Sequence, residues 1–313
     1  METGPLQKAD QTVPAEGLPF LFGKARSRLI GLVYVVFTAF GWGLNWPATK
    51  LLLAECPPLS ARGLSGLAAG LVLAGAALLR GETLSVPRHL WGRLGAASLL
   101  NVTAWMGLTT ASLLWLRAGQ AAILAYTMPV WVVLLAWPIL RERPTQRQIK
   151  AILLGICGVV ILVGGASLSL DPGTLLGTAL ALSAAALFAL GTVLSKRMPI
   201  PLTRIALTAW QVTIGCIPLL GAGLLFENAH FAGLPTIGWF ALGYTALVSM
   251  GLCYLLWFSA VRRLEASTAA IGTLFTPVIG VAASTLVLGD SLTLTQAASL
   301  GLVVAGVVMA IRA

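Results

Sequence analysis

Few side chains in this chain can do chemistry, and most of them sit near the middle of long apolar stretches. Toward the N-terminus these are Trp42, Asn45 and Trp46, with Asn45 three residues after Trp42 and so on the same side of a helix. Asn101 and Trp105 follow at i, i+4 spacing, then Tyr126. The second half supplies Trp210, Gln211, Tyr244, Ser249, Tyr254 and Phe275 with Thr276. The chemistry on offer is non-covalent: amides and hydroxyls that hydrogen-bond a polar guest, and large rings that stack on it or face a cation. Each residue also has a packing interpretation. An intramembrane Asn or Gln often only bonds a neighbouring helix, and Trp or Tyr near span ends forms an interfacial belt, which discounts Tyr34, Trp91, Trp115 and Trp239.

Covalent and metal chemistry find no footing. No paired Asp, no Ser with His and no His-rich motif falls within an apolar stretch, so no enzyme and no catalytic residue is expected. The four cysteines, Cys56, Cys157, Cys216 and Cys253, lack CxxC spacing and read as packing residues. His89 and His230 both lie near loops, so no metal site and no cofactor is expected. No Asp or Glu lies at mid-depth, which removes the carboxylate that a proton-coupled mechanism would load and release. Lys50 and Arg62 are the only candidate cations for a buried guest. Both are expected near the outer face, Lys50 snorkelling to the interface.

The elements that must hold these residues follow from composition. Of 313 residues 58% are hydrophobic and only 10% are charged, and the mean hydropathy is +0.92; soluble domains carry about 25% charged residues. Crossing about 30 Å of hydrocarbon takes roughly 20 apolar residues in a helix. Ten such spans fit without overlap: 29–53, 59–79, 92–114, 118–140, 147–167, 173–195, 204–225, 236–261, 266–288 and 295–311. Too little is left for a soluble domain, and the unbroken apolar runs exclude an outer-membrane barrel. With the N-terminus cytoplasmic, all but Lys50, Arg62 and Arg117 of the 20 Lys and Arg fall on that side, which obeys the positive-inside rule and puts both termini in the cytoplasm. The net charge of +10 is thereby a topology signal, and no nucleic-acid partner is expected. Residues 1–28 lack a signal peptide's apolar region and read as a loose cytoplasmic tail, or as an interfacial segment around Leu18 to Phe22.

The chain also repeats itself. Shifted by 148 positions, 91–163 aligns with 239–311 without a gap, with roughly 20 identities in about 73 positions. Matches include Trp91 with Trp239, Ala121-Ala122-Ile123 with Ala269-Ala270-Ile271, Pro129 with Pro277, Gln148 with Gln296 and Gly158-Val159-Val160 with Gly306-Val307-Val308, and Glu142 faces Asp290. An offset of 146 pairs Gly31 and Lys50 with Gly177 and Lys196. A five-helix unit is thus written twice, over 29–167 and 168–313. Because five is odd, the second copy runs upside down relative to the first. The expected fold is an all-α integral membrane protein of ten transmembrane helices in two inverted five-helix repeats. Secondary transporters use this design for alternating access, and paired interruptions such as Pro129 and Pro277 mark a site or hinge, or else static kinks. Gly66-xxx-Gly70 and Gly173-xxx-Gly177 allow close helix approach, with sliding or a dimer contact as a second use.

The block Pro129, Leu140-Arg141-Glu142-Arg143-Pro144 and Gln148, its echo Pro277, Leu288-Gly289-Asp290 and Gln296, and Gly41-Trp42-Gly43-Leu44-Asn45 ahead of Lys50 carry a family resemblance. From residue 29 onward the chain resembles the drug/metabolite transporter superfamily in its EamA-type branch. Gly289-Asp290 departs from the commoner Gly-Glu there. With its aromatic central spans it looks like a bacterial aromatic amino acid exporter. The resemblance implies a central cavity, outward movement of small metabolites and a place in the bacterial inner membrane, with the lipid bilayer and a small-molecule substrate as partners. A monomer is expected, a dimer remaining open. The missing carboxylate predicts facilitated diffusion of an amino acid down its gradient, or dependence on the membrane potential only through the substrate's charge. Exporters of cationic drugs, polyamines or nucleotide sugars in the same fold are the rival readings, and a passive structural or receptor subunit is another.

Overall fold

The computed structural model describes residues 18–116, 121, 124–164, 172–228 and 231–288, and isolated positions from 294 to 309. Among the described residues there is helix and no strand. Lipid offers the backbone no partners, so each segment must satisfy its own N–H and C=O groups. We label the elements α1 (Leu18–Leu53), α2 (Pro58–Leu79), α3 (Trp91–Ser98, Leu99–Ala104 and Trp105–Ser112 end to end), α4 (Met128–Leu140), α5 (Gln146–Gly164), α6 (Pro172–Arg197), α7 (Arg204–Phe226), α8 (Thr236–Tyr244, Thr245–Cys253 and Tyr254–Val261 end to end) and α9 (Ala266–Gly272 and Phe275–Leu288).

Among the described residues six helices are long and apolar enough to cross a membrane: Ala25–Leu53, Pro58–Leu79, Pro172–Arg197, Arg204–Phe226, Thr236–Val261 and Ala266–Val287, with Met128–Leu140 a shorter apolar helix. Large apolar side chains point outward along them, among them Phe37, Leu71, Leu224 and Phe240, as a lipid-facing surface requires. The first helix begins at Leu18 rather than at 29, so part of the expected tail is helical. Residues 1–17, Arg117, Ala122, Ile123, Asp171, His230, Gly289-Asp290, Gln296 and most of the tenth expected span lie outside the described residues.

Local chemistry sets the helix ends. Pro58 starts α2 where its missing N–H costs nothing. The carboxylate of Glu227, just past α7, accepts from Leu59 N–H (3.0 Å), Ser60 N–H (2.8 Å) and Ser60 Oγ (2.8 Å), an anion on the positive end of a helix. Arg141 closes α4 in the left-handed region, with φ 60°. Thr145 and Gln148 then form a reciprocal capping box ahead of α5: Thr145 Oγ1 accepts from Gln148 N–H at 3.2 Å, and Gln148 Oε1 accepts from Thr145 N–H at 2.9 Å. Much of the Arg141 to Gln148 motif is therefore stop-and-restart chemistry. Glu142 does more. Its Oε1 lies 2.8 Å from Lys196 Nζ at the end of α6 and its Oε2 accepts from Ala266 N–H (3.0 Å) at the start of α9, while Lys196 Nζ also donates to Leu264 O (2.6 Å). One carboxylate of the first half clasps two helix ends of the second.

Glycines decide the tightest packing. A Cβ on Gly63, Gly66 or Gly70 of α2 would overlap Leu220, Cys216 or Thr213 of α7, so the Gly66-xxx-Gly70 stripe serves close approach within the bundle.

Two departures from regular helix recur at equivalent places. Leu99–Ala104 in α3 and Thr245–Cys253 in α8 are π-helical, and adding 148 to the first range places it inside the second. Helix also breaks twice: residues 124–125 turn at Tyr126-Thr127 before Met128, and Ala266–Gly272 turns at Thr273-Leu274 before Phe275. The turns are closed by i→i−3 bonds, Thr127 N–H to Leu124 O (3.2 Å) and Leu274 N–H to Ile271 O (3.0 Å). Pro129 and Pro277 follow these turns, where a proline in the first turn forfeits no intrahelical bond. The expected kinks take the form of tight i→i−3 turns in which the backbone stays right-handed, Thr127 at φ −69° and Thr273 at φ −74°, and regular helix restarts at the prolines.

Candidate functional site

The π-segments and breaks position the polar groups. A cavity of about 40 Å³ at the centre of the bundle is lined by Trp42, Asn45 and Trp46 of α1, Arg62 of α2, Trp105, Met106 and Thr109 of α3, Tyr126 at the first break and Ser249 in the π-segment of α8. It has room for a water or two. Trp42 Nε1–H donates to Ser249 O (3.2 Å) and Thr245 Oγ1 meets Asn45 Oδ1 at 3.3 Å. Trp46 and Tyr126 rings face each other at 6.4 Å. Ser249 Oγ is buried with no partner. No Asp or Glu lines this cavity among the described residues.

A second cavity of about 440 Å³ opens between α3, α6, α7 and α8, lined by Arg93, Leu100, Ser195, Lys196, Gln211, Phe258 and Arg262 among others. Its polar wall is a network: Asn101 Nδ2 donates to Ser195 Oγ (3.1 Å) and Gln211 Oε1 (3.3 Å), and Tyr254 O–H donates to Asn101 O (3.1 Å). The π-helical segment buries Asn101 in this network, behind Ser195 and Gln211 of the vestibule wall, while Trp105 lines the inner cavity, so the expected common face is divided. Between the two spaces stands an aromatic partition. Trp42 meets Tyr254 at 5.5 Å, Trp257 at 5.7 Å and Phe188 at 6.3 Å; Phe188 meets Trp105 at 4.8 Å; Tyr254 meets Phe258 of the vestibule at 5.8 Å.

Other expected site residues lie elsewhere. Trp210 Nε1–H donates to Leu84 O (2.9 Å) and its ring packs on Trp91 (5.2 Å), anchoring the loop before α3. Tyr244 O–H donates to Gly41 O (2.9 Å), joining α8 to α1. Phe275 packs on the cluster of Val133, Ile152, Ile271 and Leu274. Thr276 is fully buried, its carbonyl against the bare backbone of Gly43.

Besides Met106 and Thr109, two residues at the site escaped sequence reasoning. Phe188 is absent from the expected site, yet the 146 offset that pairs Lys50 with Lys196 also pairs Trp42 with Phe188, and that signal would have found it. Arg62 was expected near the outer face. It sits four residues into α2, about 6 Å along the axis at 1.5 Å per residue, and its guanidinium turns inward to the cavity. Nη2 donates to Thr49 Oγ1 at 3.2 Å, while Nε and Nη1 are sealed from solvent with no partner.

The sequence profile of the EamA-like transporter family matches residues 29–164 and again 175–312. The chain belongs to the EamA-like transporter family. This EamA-like chain is 32% identical over 292 residues to an uncharacterized transporter, YvbV, of Bacillus subtilis, covering 91% of each chain. It is 31% identical over 274 residues to a probable amino-acid metabolite efflux pump of Salmonella typhimurium, covering 85% of this chain and 89% of that one. A solved crystal structure matches with a TM-score of 0.78 at 20% identity, over 91% of this chain and 98% of the other, which shows the shared fold. The EamA-like chain is accordingly a membrane transporter.

Proposed function

We propose that this transporter exports small metabolites, foremost aromatic and other neutral amino acids, by alternating access through the aromatic cavity. Ten transmembrane helices in two inverted five-helix repeats, 29–167 and 168–313, carry the cycle, with both termini cytoplasmic and the chain in the bacterial inner membrane. The observation that carries the reading is the partition of rings between a wide vestibule and a small polar cavity. A site for one small aromatic guest needs large flat surfaces beside a few hydrogen-bonding groups, and Trp42, Trp46, Trp105 and Tyr126 with Asn45 and Ser249 supply both.

The cavity is too small for an amino acid as it stands, since ligand sites run to about 300 Å³ or more. Loading therefore requires the rings to part, and the breaks before Pro129 and Pro277 are the hinges we assign to that motion. The vestibule, with Arg93, Lys196 and Arg262 at its rim, faces the cytoplasm in this reading. The name of the Salmonella relative as a probable amino-acid metabolite efflux pump supports the cargo class. With no carboxylate on the cavity wall, movement runs down the substrate's own gradient.

A cationic-drug exporter is the second reading, favoured by the ring surfaces and opposed by the inward guanidinium of Arg62. Uptake of labelled tryptophan, phenylalanine, threonine and a quaternary ammonium compound into proteoliposomes decides between them. Saturable flux of the aromatic amino acids supports the proposal, and flux of the cation alone overturns it.

A further inference from the structure

We propose that the guanidinium of Arg62 is the docking group for a carboxylate on the transported molecule, so that the cargo is a zwitterion or an organic anion. This rests on the cavity being the transport site. Arg62 stays charged at any physiological pH, and a buried charge left without a counter-ion is a costly arrangement. Here it has one neutral hydroxyl, Thr49 Oγ1 at 3.2 Å, while Nε and Nη1 are buried without partners in the wall of a cavity that no Asp or Glu lines among the described residues.

The acid that caps the start of α2 is already committed. Both oxygens of Glu227 are taken by Leu59 N–H, Ser60 N–H and Ser60 Oγ. Among the described residues no carboxylate is recorded with Arg62, and in this proposal the cargo supplies one. A planar fork of donors with free nitrogens selects a carboxylate, which it can grip with two parallel bonds. The surroundings fit the remainder of such a molecule. Trp46, Trp105 and Tyr126 offer faces for an apolar or aromatic side chain. Ser249 Oγ, buried without a partner, and the amide oxygen of Asn45 offer acceptors for an ammonium group. The offset of 146 puts Thr208 at the position of Arg62 in the second copy, so the charge belongs to one half alone and gives the guest a single orientation.

The test uses the full-length chain and three probes that share one ring: L-phenylalanine, 3-phenylpropanoate, which lacks the ammonium, and 2-phenylethylamine, which lacks the carboxylate. In detergent, 3-phenylpropanoate raises the unfolding temperature of the parent and of Thr49→Ala, and 2-phenylethylamine does not. Arg62→Gln loses that response by at least about tenfold in the half-saturating concentration, the scale of one lost charged pair, and Arg62→Lys keeps part of it. Without ligand, Arg62→Gln unfolds at the same or a higher temperature than the parent, because it removes an unpaired buried charge; a merely structural arginine would lower it. In proteoliposomes Arg62→Gln raises the KM for phenylalanine. The proposal is overturned if 2-phenylethylamine stabilises the parent as well as 3-phenylpropanoate does, if 3-phenylpropanoate has no effect on the parent, or if Arg62→Gln keeps the parent's response. Stabilisation by 3-phenylpropanoate with no flux of any probe would instead overturn the transport reading and leave the carboxylate site standing.

Discussion

Removing the charge of Glu142 while keeping its shape should unlock one face of the bundle. In Glu142→Gln the amide oxygen can still accept from Ala266 N–H, so the variant isolates the 2.8 Å contact with Lys196. The two side chains are 14% and 27% exposed, neither core nor open surface. Exposed pairs contribute about 0–1 kcal/mol and hydrogen bonds to charged groups about 1.5–3 kcal/mol, so the loss is about 2 kcal/mol, or roughly 30-fold in an opening equilibrium at 1.4 kcal/mol per tenfold. Ser267, only 4% exposed beside the clasp, can report opening. In a Cys157→Ser background, Ser267→Cys is labelled with a membrane-impermeant maleimide. Background from Cys56 stays low: burial first, and the Glu227 charge second, push its thiol pKa up and keep it protonated. Labelling should accelerate about 30-fold in Glu142→Gln and in Lys196→Met alike, with little further gain in the double variant, since both remove one interaction. Rates within about threefold of the parent, or effects that simply add, would refute the clasp.

Two further outcomes follow from the packing. Gly66→Ala drives a methyl into Cys216 and should cost about 1–3 kcal/mol by overpacking; thermal unfolding should recover in part when Cys216→Ala is added, and no rescue would mean that the contact is not limiting. Asn101→Leu strands the amide oxygen of Gln211 and should cost about 1–3 kcal/mol, with Gln211→Leu in the same chain restoring part of it in the same unfolding assay. Strictly additive losses would show that the two amides do not depend on each other.

Several features were legible in the sequence because they rest on composition and periodicity. Apolar length gave the long helices, and the offsets of 146 and 148 tied Glu142, Lys196, Pro129 and Pro277 into a repeating frame. Mid-span polar and aromatic residues gave most of the inner cavity: Trp42, Asn45, Trp46, Trp105, Tyr126 and Ser249 do converge. What stayed hidden depends on where a side chain points. Trp210 looked like Trp105 in the sequence, yet an indole at a helix start reaches back to Leu84, while one after a π-segment faces inward. The π-segments have no compositional mark, since widening a turn by one residue needs no Pro or Gly. Arg62 was misjudged because depth was read from its backbone position, whereas its long side chain carries the charge away from the helix end. The Glu142 clasp joins residues 54 and 124 positions apart, a distance over which one sequence holds no pairing signal.

The most direct test of transport through this cavity is tryptophan counterflow in proteoliposomes, with no ion gradient imposed, comparing the parent with Trp105→Ala. Saturable counterflow that needs no proton gradient and falls at least about tenfold in the variant, the scale of about 1.4 kcal/mol for a lost ring contact, is the predicted result. Counterflow that persists undiminished in Trp105→Ala, or flux that appears only with a pH gradient, would contradict the account.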